Sequence, residues 1–324
     1  MPRLLITGVT GLIGRAVLNS VLAAKTDYHI TALIRPETVP ERYAAFRTEL
    51  EIVKLDLADT SKLTSWLKDN AFDAVLHIGA LRGGRKFNHQ EYLRANYICT
   101  QALAEHCLQH NAKFMFCSSV GVFGAIPEEL PANNQTERNP DNFYHYTKIE
   151  SEKMIQRMVT RGLKAAILRP SVTYGIRDRG FPYQMVKMVH TNRFPLINKR
   201  VWLHLCHVDT ISRAFTWLLL NDYKPGLAMN VADREPVQLQ QLVNFISREL
   251  RGENYGSILK LDRLFFRWGE QAARLVKNEL WISRFQLISR SWFYQVADTY
   301  ELMGLTPTYT IPDIRITIAD YLGK

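Results

Sequence analysis

Tyr144 and Lys148, in the stretch YHYTK, place a phenol and an ammonium four residues apart, one turn along a helix and on the same face. A phenol with a pKa of about 10 relays protons poorly at neutral pH, and an ammonium held beside it favours the phenolate. The pair is therefore a candidate general acid/base. Spacing alone does not single it out, because Tyr183 and Lys187 in FPYQMVK repeat it. Context separates the two. The stretch FCSSVGVFG brings Ser118 and Ser119 out at the end of a strand-like run, and Tyr144 follows Ser119 by 25 residues and opens a helical run, KIESEKMIQRMV. Ser119 can donate a hydrogen bond to an oxygen on which negative charge develops. No Ser or Thr stands at that distance before Tyr183.

A second constellation lies near the N-terminus. Between the run RLLIT (3–7) and the first helical segment lies TGVTGLIG, with Gly8, Gly11 and Gly14 spaced three apart. In such a loop one glycine makes the tight turn, one lets a pyrophosphate approach the backbone, and one lets helix and strand pack closely, while the helix N-terminus faces the anion. The pattern is GxxGxxG, and its place after a strand and before an apolar helix predicts dinucleotide binding. The next strand ends in ALIRP, with Arg35 where an acid would accept hydrogen bonds from the adenosine ribose. A guanidinium there suits a 2′-phosphate, so the expected cofactor is NADP(H), with NAD as the alternative. Asp56, closing the third strand in KLDL, is placed to reach the adenine edge; loop capping is its other reading. The loop LRGGRKF (81–87) adds Arg82, Arg85 and Lys86, as phosphate or acidic-substrate contacts or as solvated charge.

These residues need a scaffold, and the sequence supplies one. Apolar runs recur at RLLIT (3–7), YHITALI (28–34), EIVKL (51–55), DAVLHI (73–78), KFMFCS (113–118) and KAAIL (164–168), with room for a helix between them. That alternation implies βαβ units. The expected fold class is α/β, a doubly wound parallel sheet of the Rossmann type with a smaller, mostly helical C-terminal substrate lobe. Residues 1–170 form the dinucleotide-binding domain, with 207–233 returning to it, and 171–206 with 234–324 form the lobe.

Composition narrows the function classes. The chain has 324 residues, 47% hydrophobic and 22% charged, with four scattered cysteines, Cys99, Cys107, Cys117 and Cys206, in no CxxC spacing. Buried, reduced thiols are expected rather than a disulfide frame or metal site. The N-terminus lacks the long apolar core of a signal peptide, and no run approaches the roughly 18 apolar residues needed to cross a bilayer. A cytoplasmic protein without a transmembrane segment is the expectation. The net charge of +10 is spread along the chain without a basic block or aromatic platform, which argues against nucleic acid.

With these stretches in view, the chain resembles an extended short-chain dehydrogenase/reductase, of the epimerase/dehydratase and hydroxysteroid dehydrogenase group. The resemblance runs through TGVTGLIG, KLDL, LHIGA (76–80), RANYICT (94–100), CSSVGVFG, YHYTK, LRPSVTYG (168–175), HVD (207–209), NVAD (230–233) and MGLTP (303–307), nearly the whole chain. It implies that Tyr144 is the general acid/base, Lys148 holds the nicotinamide ribose, Ser119 positions the substrate oxygen and Asn96 supports a water chain; an exposed helix polar residue is the other reading of Asn96. It implies cofactor contacts along Gly8, Thr10, Gly11, Leu12, Ile13 and Gly14, at Arg35, Asp56, Leu57, Gly79 and Ala80, and at Pro170 and Val172 besides Tyr144 and Lys148. A homodimer is expected.

The substrate is read from what is missing. The family's sugar-nucleotide enzymes carry an Asn where this chain has Val172 and an Arg where it has Leu203, with Arg200 as a shifted substitute. Between Ile258 and Tyr294 the chain is rich in aromatics: Phe265, Phe266, Trp268, Trp281, Phe285, Trp292 and Phe293. Their expected role is to pack the substrate lobe against the sheet domain, with a lipid-facing role as the alternative. Both features agree with the 3β-hydroxysteroid-dehydrogenase-like branch and imply an apolar small-molecule alcohol or ketone. The alternatives are a nucleotide-sugar epimerase or dehydratase that retains its NAD, and a dinucleotide-sensing binding protein.

Overall fold

The computed structural model describes residues 1–46, 48–82, 87–256, 260–276 and 278–324. Arg85, Lys86, Ile258 and Lys277 lie outside the described residues. The apolar runs of the first half become strands β1 (Arg3–Thr7), β2 (His29–Ile34), β3 (Glu51–Lys54), β4 (Ala74–His77), β5 (Lys113–Cys117) and β6 (Lys164–Pro170), joined by β7 (Leu227–Val231). They form one seven-stranded sheet in the order β7–β6–β5–β4–β1–β2–β3. β1 to β6 pair in parallel, with Leu4 opposite Ala74 and Ile30, and Phe116 opposite His77 and Ile167. The inner strands β1, β2, β4, β5 and β6 are almost wholly buried because helices cover a parallel sheet on both faces, which is why they read as continuous apolar runs, whereas the edge strand β3 has no fully buried residue.

The chain divides into two compact units: residues 1–122, 140–169 and 211–229, and residues 123–139, 170–210 and 230–324. Residues 123–139, inside the range expected for the first domain, belong to the second unit. The core of the first unit includes Leu5, Val75, Leu103, Phe114, Phe116, Ile155 and Ile167, all fully buried. In the second unit the helices Phe181–His190, Leu239–Arg251 and Arg315–Leu322 pack together. There Asp233 is buried and accepts hydrogen bonds from Tyr174 (2.9 Å), Thr308 (2.7 Å), Thr310 (2.5 Å) and the His207 amide (2.9 Å).

Of the aromatics expected to pack inward, Phe266 and Trp292 do so, whereas Phe265, Trp268 and Trp281 are exposed. Periodicity marks an apolar stripe without saying what it faces. The four cysteines are buried and none forms a disulfide, and among the described residues no helix is long and apolar enough to cross a membrane.

One buried ion pair belongs to the first unit. Arg169, at the end of β6, donates to both oxygens of Glu152, from Nε at 2.8 Å and from Nη2 at 2.7 Å. Both side chains are almost completely buried. Arg169→Met would leave the Glu152 carboxylate in the interior without its counter-ion, and we expect a loss of about 3–5 kcal/mol of unfolding free energy in urea titration. An unchanged midpoint and slope would show that the pair does not support the fold.

Candidate functional site at the carboxyl edge of the sheet

The glycine loop is built by close approach. Gly8 has φ +80, and a Cβ there would stand 2.6 Å from the Gly79 nitrogen. A Cβ on Gly14 would lie 2.1 Å from the Gly8 carbonyl oxygen, so the first turn of the helix Leu12–Ala23 can sit on the loop only as glycine. Gly11 caps that helix without a side chain, its N–H donating to the Gly8 carbonyl at 2.9 Å. The helix N-terminus is thus bare, which fits an approaching pyrophosphate. Thr10, Leu12 and Ile13 belong to this loop and first turn, and the Leu57 side chain closes against Gly79, which precedes Ala80 at the end of β4.

A directed chain of hydrogen bonds ties this loop to the rest of the site. The Thr7 hydroxyl accepts the Ile78 amide (3.1 Å) and the Gly79 amide (3.0 Å), so its own proton goes to His77 Nδ1 at 2.8 Å. His77 Nε2–H then donates to Thr100 (2.9 Å), whose hydroxyl donates to the Asn96 carbonyl (2.5 Å). Burial pushes His77 down to about 3, in keeping with a neutral ring of one fixed tautomer.

Tyr144 stands in the first turn of the helix Phe143–Val159, whose N-cap Asn142 accepts the His145 amide at 2.9 Å. Ser119, one of the groups acting on the Tyr144 phenol, accepts the Gly121 amide on its Oγ at 3.0 Å. The neighbouring Ser118 turns inward instead and donates to Glu152 at 2.5 Å. Lys148 is 2% exposed, and its Nζ donates to the Cys117 carbonyl at 2.7 Å. It lies 4.5 Å from the Phe116 ring centroid and 5.9 Å from that of Tyr144.

The electrostatics differ from the simple phenol–ammonium expectation. Burial raises the Tyr144 phenol above its ordinary value, with Arg82 and the Ser119 hydrogen bond pulling the other way. Burial likewise lowers Lys148, against the opposing pull of nearby groups that include Glu152. The lysine is committed to a main-chain carbonyl at the end of β5, and desolvation is the largest cause acting on the phenol.

Three other expectations change. Asn96 is not an exposed helix residue but is buried in the π-helical segment Leu93–Ile98. Its amide clamps the Leu81 backbone, accepting the Leu81 N–H at 2.8 Å and donating to its carbonyl at 3.0 Å, and it also donates to Thr147 at 3.2 Å. Asp56 caps its own loop, accepting the Ala58 amide at 2.9 Å. Arg35, at the end of β2, is half exposed and stands 3.4 Å from Glu37, so an acid overlooked in the sequence follows the strand after all. Exposed ion pairs of this kind contribute little, roughly 0–1 kcal/mol. Arg42 lies closer to the glycine loop, donating to the Thr10 carbonyl at 2.8 Å, and Arg15 donates to the Arg42 carbonyl.

Pro170 ends β6, and Val172 lies in the second unit, where its carbonyl accepts the Cys206 amide at 3.0 Å. Leu203 is fully buried in a two-stranded sheet opposite Val237, and Arg200 is exposed. Tyr183 packs against Tyr321 and under the Arg179 guanidinium at 4.4 Å, which accounts for the second Tyr–Lys match as a packing residue. Residues missed in the sequence are Thr7, His77, Thr147, Ser151 and Glu152. The last three share the Lys148 face of the helix, and that spacing was the available signal.

The profile of the NAD dependent epimerase/dehydratase family matches residues 4–232. A UDP-glucose 4-epimerase of Azospirillum brasilense is 29% identical over 172 residues, covering 52% of this chain and 48% of that enzyme, so the match spans about half of the relative. A dTDP-glucose 4,6-dehydratase of Mycobacterium tuberculosis is 26% identical over 283 residues, 77% of this chain and 83% of that enzyme. Among solved structures, UDP-glucuronic acid 4-epimerase from Bacillus cereus in complex with NAD superposes with a TM-score of 0.72 at 20% identity, covering 98% of this chain and 97% of the other, a likeness of fold.

Asn96→Ala would leave the Leu81 N–H and carbonyl without their side-chain partner, at about 1–3 kcal/mol for each unsatisfied group. The expected result is faster hydrogen exchange at the Leu81 amide by roughly tenfold or more. Unchanged exchange would show that the clamp does not hold this loop.

Proposed function

The chain belongs to the NAD dependent epimerase/dehydratase family, and on that premise we propose that it oxidises a secondary carbinol to a ketone, and returns the hydride, on an activated sugar, as an epimerase or dehydratase that keeps its dinucleotide through turnover. The observation that carries this is the placement of Ser119 after β5 and Tyr144 in the first turn of the helix Phe143–Val159, at the carboxyl edge of the sheet beside a bare helix N-terminus, with Lys148 one turn on. Two hydroxyls on adjacent elements can hold one substrate oxygen between them.

The bound nicotinamide supplies the hydride acceptor and donor. The residues do the rest. The bare helix N-terminus at Gly11 receives the pyrophosphate, and the absence of side chains at Gly8 and Gly14 keeps that loop low. Ser119 donates to the substrate oxygen, and Tyr144 removes the carbinol proton and later returns one. Lys148 holds the ribose of the cofactor and adds positive charge near the phenol. Asn96 acts through Leu81 and Thr147 as a positioning residue. We assign the 2′-phosphorylated dinucleotide as the preferred form, on Arg35 together with Arg15 and Arg42 near the glycine loop.

A second reading has its own support. Val172 and Leu203 stand where the resemblance leads one to expect an amide and a guanidinium, and Leu203 is sealed in the interior. A buried diphosphate lacking both partners would be costly, which favours a dehydrogenase for an apolar alcohol or ketone. Incubation with UDP-glucose, dTDP-glucose and a set of apolar ketones separates the two. Transient reduction of bound cofactor without release supports the sugar reading, and stoichiometric release with an apolar substrate supports the other.

Tyr144→Phe should lower turnover roughly 10²-fold or more while leaving dinucleotide affinity nearly unchanged, and Tyr183→Phe should keep most activity. Retained activity in Tyr144→Phe would remove the proposed proton relay. In titrations with NADPH and NADH, Arg35→Ala should erase most of a preference of about tenfold, the equivalent of one charge-assisted phosphate contact. Equal affinities in the unmutated protein would contradict the assignment of the phosphorylated form.

A further inference from the structure

The helices Arg263–Leu275 and Glu279–Ser289 pack against each other so closely that a Cβ on Gly269 would stand 2.6 Å from the Phe285 ring. At about 100° per residue, the first helix carries three stripes. Phe266, Gly269, Glu270 and Ala273 share the inward face, and Phe266, Glu270 and Ala273 are buried. Opposite them Leu264, Phe265, Trp268 and Leu275 point outward, 63%, 49%, 74% and 84% exposed. Between the two faces lie Arg263, Arg267 and Arg274. Val276 continues the outer stripe, and Leu280 and Trp281 extend it onto the second helix, with Arg284 5.1 Å from the Trp281 ring. Of the 18 large hydrophobic side chains exposed among the described residues, seven fall between 264 and 281. That concentration is far above scatter, and it needs an occupant.

We infer that this helical hairpin docks the protein peripherally on an anionic phospholipid bilayer. Its outer face combines Trp, Phe and Leu, which settle at the boundary of headgroups and acyl chains, with an arginine stripe at the flank to meet lipid phosphates. The charge pattern speaks against a second copy as the occupant. A two-fold contact would bring the same arginines together, and the helix's own acid, Glu270, is buried and already bonded to Arg274 at 2.7 Å and Arg290 at 2.8 Å. A chain of net charge +10 adds to the attraction for an anionic surface. The inference is independent of the chemistry assigned to Tyr144.

The test is flotation of the purified full chain with vesicles of equal parts phosphatidylcholine and phosphatidylglycerol, against vesicles of phosphatidylcholine alone. The unmutated protein should float with the anionic vesicles and roughly tenfold less with the neutral ones or at high salt. Trp268→Ser with Leu275→Ser, and separately Arg263→Glu with Arg267→Glu, should each reduce flotation by a similar factor while leaving the thermal unfolding midpoint unchanged. The salt dependence and the charge-reversal pair carry the test if the first pair unfolds. Absence of flotation in the unmutated protein, or flotation undiminished from that level in both variant pairs, would overturn the proposal. So would a stable dimer in sedimentation that Trp268→Ser with Leu275→Ser dissociates without any vesicle binding, which would make this face a contact between copies.

Discussion

The helix Phe143–Val159 buries a polar stripe, and the site depends on how that stripe is satisfied. Thr147, Lys148, Ser151 and Glu152 fall on one face and are all buried. Thr147 accepts from Asn96, Lys148 donates to the Cys117 carbonyl, Ser151 donates to the Asn96 carbonyl at 3.3 Å, and Glu152 takes Ser118 and Arg169. Burying such groups costs several kcal/mol each when they lack partners. Rotating the helix by one residue, about 100°, would unpair them together. The orientation of Tyr144 in the first turn therefore follows from contacts made up to two turns further along the same helix.

The same burial sets the acid–base problem that the site must solve. A dry pocket raises the phenol and lowers the ammonium, and each shift favours the neutral form. A neutral phenol is the right state for donating to a ketone oxygen and the wrong one for taking a carbinol proton. An oxidised, positively charged nicotinamide, if bound here, would add a cation to this low-dielectric region and would move the phenol back toward ionisation. On this account the pocket's dryness and its cofactor act in opposite directions, so proton abstraction awaits loading of the site.

Much of this was legible in the sequence because local patterns carry it. The six strand runs appear within a few residues of their places, with Ser119 just past β5 and Tyr144 in the first turn of the helix that the run KIESEKMIQRMV continues. What was not legible depends on partners distant in the chain. Nothing near Lys148 announces that the Cys117 carbonyl takes its ammonium, and Asn96, which the resemblance marks as a water-chain support, gives no sign in its own stretch that it clamps the Leu81 backbone. Asp56 accepts the Ala58 amide, which is the loop-capping reading held beside its adenine contact. The 264–276 segment displays a clear apolar period, but a period cannot tell an inward face from an outward one, and this helix has one of each.

Under the proposed function, Tyr144 becomes a usable base only when the dinucleotide is bound. Phenolate formation followed by ultraviolet difference titration tests it directly, with Tyr144→Phe subtracted to isolate one phenol among the 14 tyrosines, in the presence and absence of saturating oxidised cofactor. The account predicts that the isolated signal titrates above the ordinary tyrosine range without cofactor and at least about one pH unit lower with it. Identical titrations in the two conditions, or no signal lost in Tyr144→Phe, would contradict it.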